Sequence, residues 1–139
     1  MTEQPLLAAP PDVIDDDPLV TTLMTREVVA VESRADTGTA LRTMADHGVR
    51  HLVLRDGDRA VGAVTEASIV RAIADDRSAD PVRRLRVPLP STGPAARRSD
   101  AARAMVEHRV DAVLVVDDGE VLGILTATDL LKSLARPEV

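Results

Sequence analysis

Apolar positions along the chain alternate between a strand rhythm and a helix rhythm, and the series runs through twice in the same order. A β-branched run, Val28-Val29-Ala30-Val31, precedes apolar Ala40, Leu41, Met44 and Ala45, whose spacing lays them on one helical face. Two strand-like runs follow, Leu52 to Leu54 and Ala60 to Val64, with Asp56-Gly57-Asp58 as the turn between them. A second helical pattern covers about Ala67 to Ala74. After the polar break from Asp75 to Pro81 the series returns. It runs through Leu89-Pro90-Ser91-Thr92, a helix carrying Ala101, Ala102, Met105 and Val106, a hairpin of Val113 to Val116 and Val121 to Leu125 about Asp117-Asp118-Gly119, and a helix from Thr128 to Ala135 closed by Pro137. Pro90 removes a ladder donor and confines its segment to an edge or to irregular backbone. Ser99 or Asp100 suits the N-cap of the third helix.

The two runs superpose without a gap at an offset of 61 residues, Ala40 to Ala74 onto Ala101 to Ala135. Met44/Met105, His47/His108, Val49/Val110, Asp56/Asp117, Gly62/Gly123 and Thr65/Thr126 are identical pairs. Chance similarity of two apolar segments would not hold glycine, threonine and histidine in one register, so the chain is an internal duplication. Its units are residues 18–76 and 77–139, together one compact module of α+β class. Residues 1–17, with Pro5, Pro10, Pro11 and the run Asp15-Asp16-Asp17, read as a disordered acidic tail.

Composition narrows the function. The 139 residues are 45% hydrophobic yet include no Phe, Tyr or Trp, so the core is aliphatic and no base-stacking platform exists. A net charge of −6 disfavours a nucleic-acid partner. Without cysteine there is no disulfide, thiolate metal site or cysteine nucleophile. No apolar run reaches the roughly 20 residues that span a bilayer, and the expected setting is the cytoplasm. Sixteen of the 17 basic residues are arginine, an excess that reads as compositional bias and not as a binding role.

Chemistry concentrates where a strand runs into a helix, at Gly123-Ile124-Leu125-Thr126-Ala127-Thr128-Asp129 and its counterpart Gly62-Ala63-Val64-Thr65-Glu66-Ala67-Ser68. A helix N-terminus offers unpaired N–H groups and partial positive charge to an anion. Thr126 with an acid three residues later is also close to a capping pattern, the structural alternative. Gly123 lets a ligand or a neighbouring backbone come close. Lys132 and Arg71 lie one turn beyond Asp129 and Ser68, able to reach phosphate oxygens or to pair with the preceding acid.

With the Met24-Thr25 entry, the His47-Gly48-Val49 helix end and the Asp-Gly hairpins, these residues make the chain resemble a tandem pair of CBS domains, the Bateman-type regulatory module named after cystathionine β-synthase. The resemblance spans about residues 18 to 135. It implies two βαββα-like units packed sheet to sheet with pseudo-two-fold symmetry, with clefts for an adenosine-containing ligand such as AMP, ADP, ATP, NAD or S-adenosylmethionine, and no required cofactor. Carried over, the acid that holds ribose hydroxyls is Asp129 and the phosphate-facing hydroxyl is Thr126, in a cleft with Gly123, Ile124 and Lys132. The equivalent first-unit cleft would use Gly62, Thr65, Ser68 and Arg71. Ser68 cannot accept from two hydroxyls as a carboxylate does, and losing one charge-assisted bond of about 1.5–3 kcal/mol weakens binding roughly ten- to a hundredfold. One competent cleft is therefore expected, with the first-unit cleft weak or empty.

Such pairs commonly form disc-like homodimers through their helices; the Leu41/Met44 and Met105 faces suit that interface or an internal core equally. His47 and His51 stand four apart, but Gly48 ends the helix between them. His47 and His108 then complement helix C-termini, and no metal site is expected. No nucleophile elbow, Walker loop or His-Glu-x-x-His occurs, so the chain reads as a non-enzyme. It either senses an adenosyl ligand and signals to a separate, unidentified protein, or acts without ligand as a structural module by dimerisation or docking.

Overall fold

The computed structural model describes residues 17–135; all of the expected tail but Asp17, and Pro137, lie outside them. The first unit runs β1 (Ala30–Glu32), α1 (Thr37–His47), β2 (His51–Asp56), β3 (Arg59–Thr65) and α2 (Glu66–Ala74). The second runs β4 (Ser91–Thr92), α3 (Arg98–His108), β5 (Ala112–Asp117), β6 (Glu120–Thr126) and α4 (Ala127–Ala135). Short 3-10 helices, Val20–Thr22 and Val82–Leu85, precede the first strands. Two three-stranded sheets and four helices make an α+β fold.

In each sheet the hairpin carries the first strand in parallel at its edge, in the orders β1-β2-β3 and β4-β5-β6. The two hairpins hold one register: Leu54 faces Gly62 as Val115 faces Gly123, and both slip at the next residue. β4 is only two residues long and begins directly after Pro90, whose carbonyl still accepts from Leu114 N–H at 3.0 Å.

Helix ends follow local chemistry with one correction. Asp36 caps α1 by accepting from Thr39 N–H at 2.7 Å, and Gly48, at φ 66°, closes it in the left-handed conformation. Neither Ser99 nor Asp100 is the N-cap of α3. That position is Arg97, whose side chain has no acceptor to offer, so acids from elsewhere serve the helix start. Asp100 reaches back to Arg97 N–H at 2.8 Å. Asp17 accepts from Ser99 N–H at 2.8 Å and Ser99 Oγ at 2.6 Å. Those two bonds, the hydroxyl's first, hold the Asp17 carboxyl below its ordinary value.

The packing crosses the repeat boundary. Val20 and Met24 are buried with Ala101, Met105, Val113, Val115 and Leu125 of the second unit. Val82 and Leu85 are buried with Met44, Leu52, Leu54, Val64 and Ile69 of the first. Each unit thus receives its entry segment from the other's stretch of sequence. Thr25 and Ile124 exchange backbone bonds of 2.9 and 3.0 Å, and Val87 N–H donates to Ala63 carbonyl at 2.8 Å. Met44 and Met105 lie in the cores, which decides between the two roles open to their faces.

Candidate functional site

Two clefts open between the units, at opposite strand-to-helix steps. The first, about 420 Å³, takes Val28, Val29, Val49 and His51 from the first unit and Ile124, Thr126 and Asp129 from the second. The second, about 570 Å³, takes Thr65, Ser68 and Arg71 from the first unit and Arg86, Leu89 and Arg109 from the second. Both volumes lie within the usual range for small-molecule sites.

At the first cleft the step from β6 into α4 already satisfies itself. Thr126 N–H and Oγ1 donate to Asp129 Oδ2 at 2.9 and 3.0 Å, and Asp129 N–H donates to Thr126 Oγ1 at 3.3 Å. Ala127 N–H goes to the Asp111 carbonyl at 2.9 Å. The capping pattern is therefore real in this geometry, but it engages one carboxylate oxygen and leaves Oδ1 outside those bonds. Valine and isoleucine walls face it, without an aromatic ring.

The remaining predicted residues divide. Ile124, Thr126 and Asp129 line the first cleft, but Gly123 and Lys132 do not. The close approach that Gly123 permits is made by the protein itself: a Cβ there would sit 2.7 Å from both the Thr25 carbonyl and Met24 Sδ. Thr65, Ser68 and Arg71 line the second cleft, while Gly62 lies under the Arg86 side chain and outside it. Ser68 is tied up in a full capping box, its hydroxyl donating to Thr65 carbonyl at 2.8 Å and accepting from Thr65 N–H at 3.0 Å.

Two features had no sequence signal. His51 Nε2 donates to Asp111 Oδ1 at 2.9 Å, joining the units beside the first cleft. The two residues are 60 apart in sequence, and only the packing of one unit on the other brings them together. Four arginines read as compositional bias, Arg77, Arg84, Arg86 and Arg109, join the expected Arg71 in lining the second cleft, with Asp111 its one acid. The first cleft has the opposite balance, Glu27, Asp111 and Asp129 against Arg50. The other histidines behave as expected, His47 and His108 bonding at 3.0 Å to carbonyls of Thr43 and Ala104 in the last turns of α1 and α3. Among the described residues no group of three or more His, Cys, Asp or Glu is arranged to hold a metal ion, and no helix is long and apolar enough to cross a membrane.

A duplicated α+β unit with two clefts at the seam defines a two-unit module. The CBS domain family model matches residues 20–75 and 82–136, and the chain belongs to that family as a tandem pair. It is 31% identical over 136 residues to the uncharacterized protein MJ1404 of Methanocaldococcus jannaschii, covering 86% of this chain and 32% of that one. The chain thus spans about a third of that relative's length. Among solved structures it superposes on an uncharacterized conserved protein from Pyrococcus horikoshii with a TM-score of 0.81 at 26% identity, covering 91% of this chain and 98% of the other. On the CBS domain protein PAE2072 from Pyrobaculum aerophilum, solved in complex with AMP, the TM-score is 0.74 at 25% identity, covering 86% and 99%.

Proposed function

We propose that this chain is a cytoplasmic regulatory module that takes an adenosyl ligand in the first cleft and signals its occupancy to a separate protein. The observation that carries the reading is that one cavity is lined by the Thr126/Asp129 step of the second unit and by the Val28, Val29 and Val49 wall of the first. A ligand seated there touches both units. By linkage, it favours one relative placement of the units and alters affinity for any protein that reads that placement. Asp129 Oδ1 accepts from the ribose, the aliphatic walls hold the adenine, and Thr126 exchanges its internal bond for one to the ligand.

Charge refines the ligand. Three carboxylates against one guanidinium oppose a long phosphate tail, so S-adenosylmethionine or AMP is preferred over ATP in this cleft. The AMP complex of the Pyrobaculum protein supports an adenosyl ligand. Melting curves with AMP, ADP, ATP, NAD and S-adenosylmethionine test the reading: saturation at 100 times Kd adds about 2.7 kcal/mol. Asp129→Ala abolishes the shift given by AMP or S-adenosylmethionine, and Ser68→Ala preserves it. No shift from any of them at millimolar concentration overturns the reading.

The ligand-free alternative, dimerisation or docking, also has an observation in its favour. Val70 and Ile73 on α2, and their repeat counterparts Leu131 and Leu134 on α4, are all more than half exposed. Two equivalent apolar patches related by the repeat suit a second copy of the chain, whose own two patches can meet them across a two-fold axis. Light scattering is expected to give a dimer that Leu131→Asp with Val70→Asp converts to monomer; an unchanged mass would remove this surface from the account.

A further inference from the structure

We propose that the second cleft binds a multiply phosphorylated anion through its phosphates alone, with no reading of a ribose. Five guanidiniums face one carboxylate in a chain whose net charge is −6, so the cleft is basic against the charge of the whole molecule. Arg71, Arg84, Arg86 and Arg109 have no carboxylate partner among the described residues. Arg77 is paired with Asp80 at 3.1 Å and donates to the Arg84 carbonyl at 3.2 Å, so four guanidiniums without an acid carry the excess charge. The one acid in the lining, Asp111, is shared with the other cleft, where His51 bonds its Oδ1.

Backbone geometry adds a second, independent observation. Arg109 ends α3 at φ 56°, in the left-handed region that Gly48 occupies at the equivalent place in the first unit. A side chain there carries a conformational cost that glycine avoids, and this one lines the cleft. Guanidinium forks match phosphate oxygens in pairs, and several of them need several phosphates to satisfy them. Ser68, its hydroxyl occupied by Thr65, offers no carboxylate for ribose hydroxyls where Asp129 stands in the first cleft. The ligand class is therefore an oligophosphate, free or as the tail of a nucleotide, and this cleft differs in kind from the first. It stands whether or not the first cleft takes an adenosyl ligand, since its arginines are absent from that lining.

Isothermal titration of the full chain with inorganic tripolyphosphate tests this, at low and at physiological salt. One tripolyphosphate per chain is expected, with affinity falling as salt rises. Arg71→Gln and Arg109→Gln each weaken it at least about tenfold, the cost of one charge-assisted pair, with unchanged melting temperature. Arg59→Gln, on the outer hairpin, leaves it within error. ATP competes with tripolyphosphate and adenosine does not, the signature of phosphate reading without ribose. Absence of heat at millimolar tripolyphosphate overturns the proposal. So does equal weakening by Arg59→Gln, which would mean diffuse charge, or displacement by adenosine, which would mean a nucleoside site.

Discussion

The two clefts are built from one repeated backbone and carry opposite charge. At corresponding positions Asp129 answers to Ser68 and Asp111 to Arg50, while Gly48 answers to Arg109. The hairpin register and the strand-to-helix step are the same in both units. Duplication of a fold thus supplies two cavities, and a handful of substitutions at their rims gives them opposite charge. Carboxylates suit hydroxyl-rich, weakly charged ligands; guanidiniums suit phosphates. Both cavities are lined by both units, so under the proposed functions any coupling between their ligands would be reciprocal.

The difference between the halves is best probed where they meet. Gly123→Ala should have the largest effect, because its Cβ would strike the Thr25 carbonyl at 2.7 Å, backbone that cannot swing aside. We expect a loss of about 3 kcal/mol, read by urea unfolding. Gly62→Ala should cost only about 1 kcal/mol: its neighbour at 3.2 Å is the flexible Arg86 side chain, and its φ of 152° supplies most of the penalty. Equal losses would mean that the two seams are equally tight.

Smaller in size is Arg109→Gly, which makes the second unit's helix end like the first's. It should raise stability by about 0.5–1 kcal/mol, as left-handed strain is relieved against the entropy of a new glycine. Tripolyphosphate affinity should fall at the same time; a gain in both would break the link between that strain and the cleft.

The smallest effect concerns the helix caps, supplied locally by Asp36 for α1 and from a distance by Asp17 for α3. Both carboxyls are held below their ordinary value, Asp17 chiefly by the Ser99 hydroxyl and Asp36 chiefly by Thr39 N–H. A depressed folded value means stability present above the ordinary carboxylate value of 3.8 and lost as pH falls through the lowered one. Melting temperatures of wild type and Asp17→Asn should differ at neutral pH and converge in acid. A constant gap down to low pH would show that the carboxylate charge contributes nothing at α3.

Much of the fold was legible because local rules act on neighbours in sequence. The 61-residue repeat, the hairpins at Asp56-Gly57 and Asp118-Gly119, and the stop at Gly48 each depend on a few adjacent residues. The step at Thr126 and Asp129 was legible for the same reason, as a motif within four positions. The third helix's cap was not, because Asp17 stands 82 residues from Ser99. Nor was the place of Gly123, whose neighbour Thr25 comes from the other unit's stretch of chain.

Sequence by itself determined the duplication, the α+β class and the asymmetry at positions 68 and 129, since periodicity, turn chemistry and residue identity are properties of short segments. Only the tertiary structure decided that the entry segments cross between units, that His51 meets Asp111, and that five scattered arginines share one cavity. Electrostatic and steric environments are sums over residues close in space, and closeness in space across a seam leaves no trace in the order of the chain.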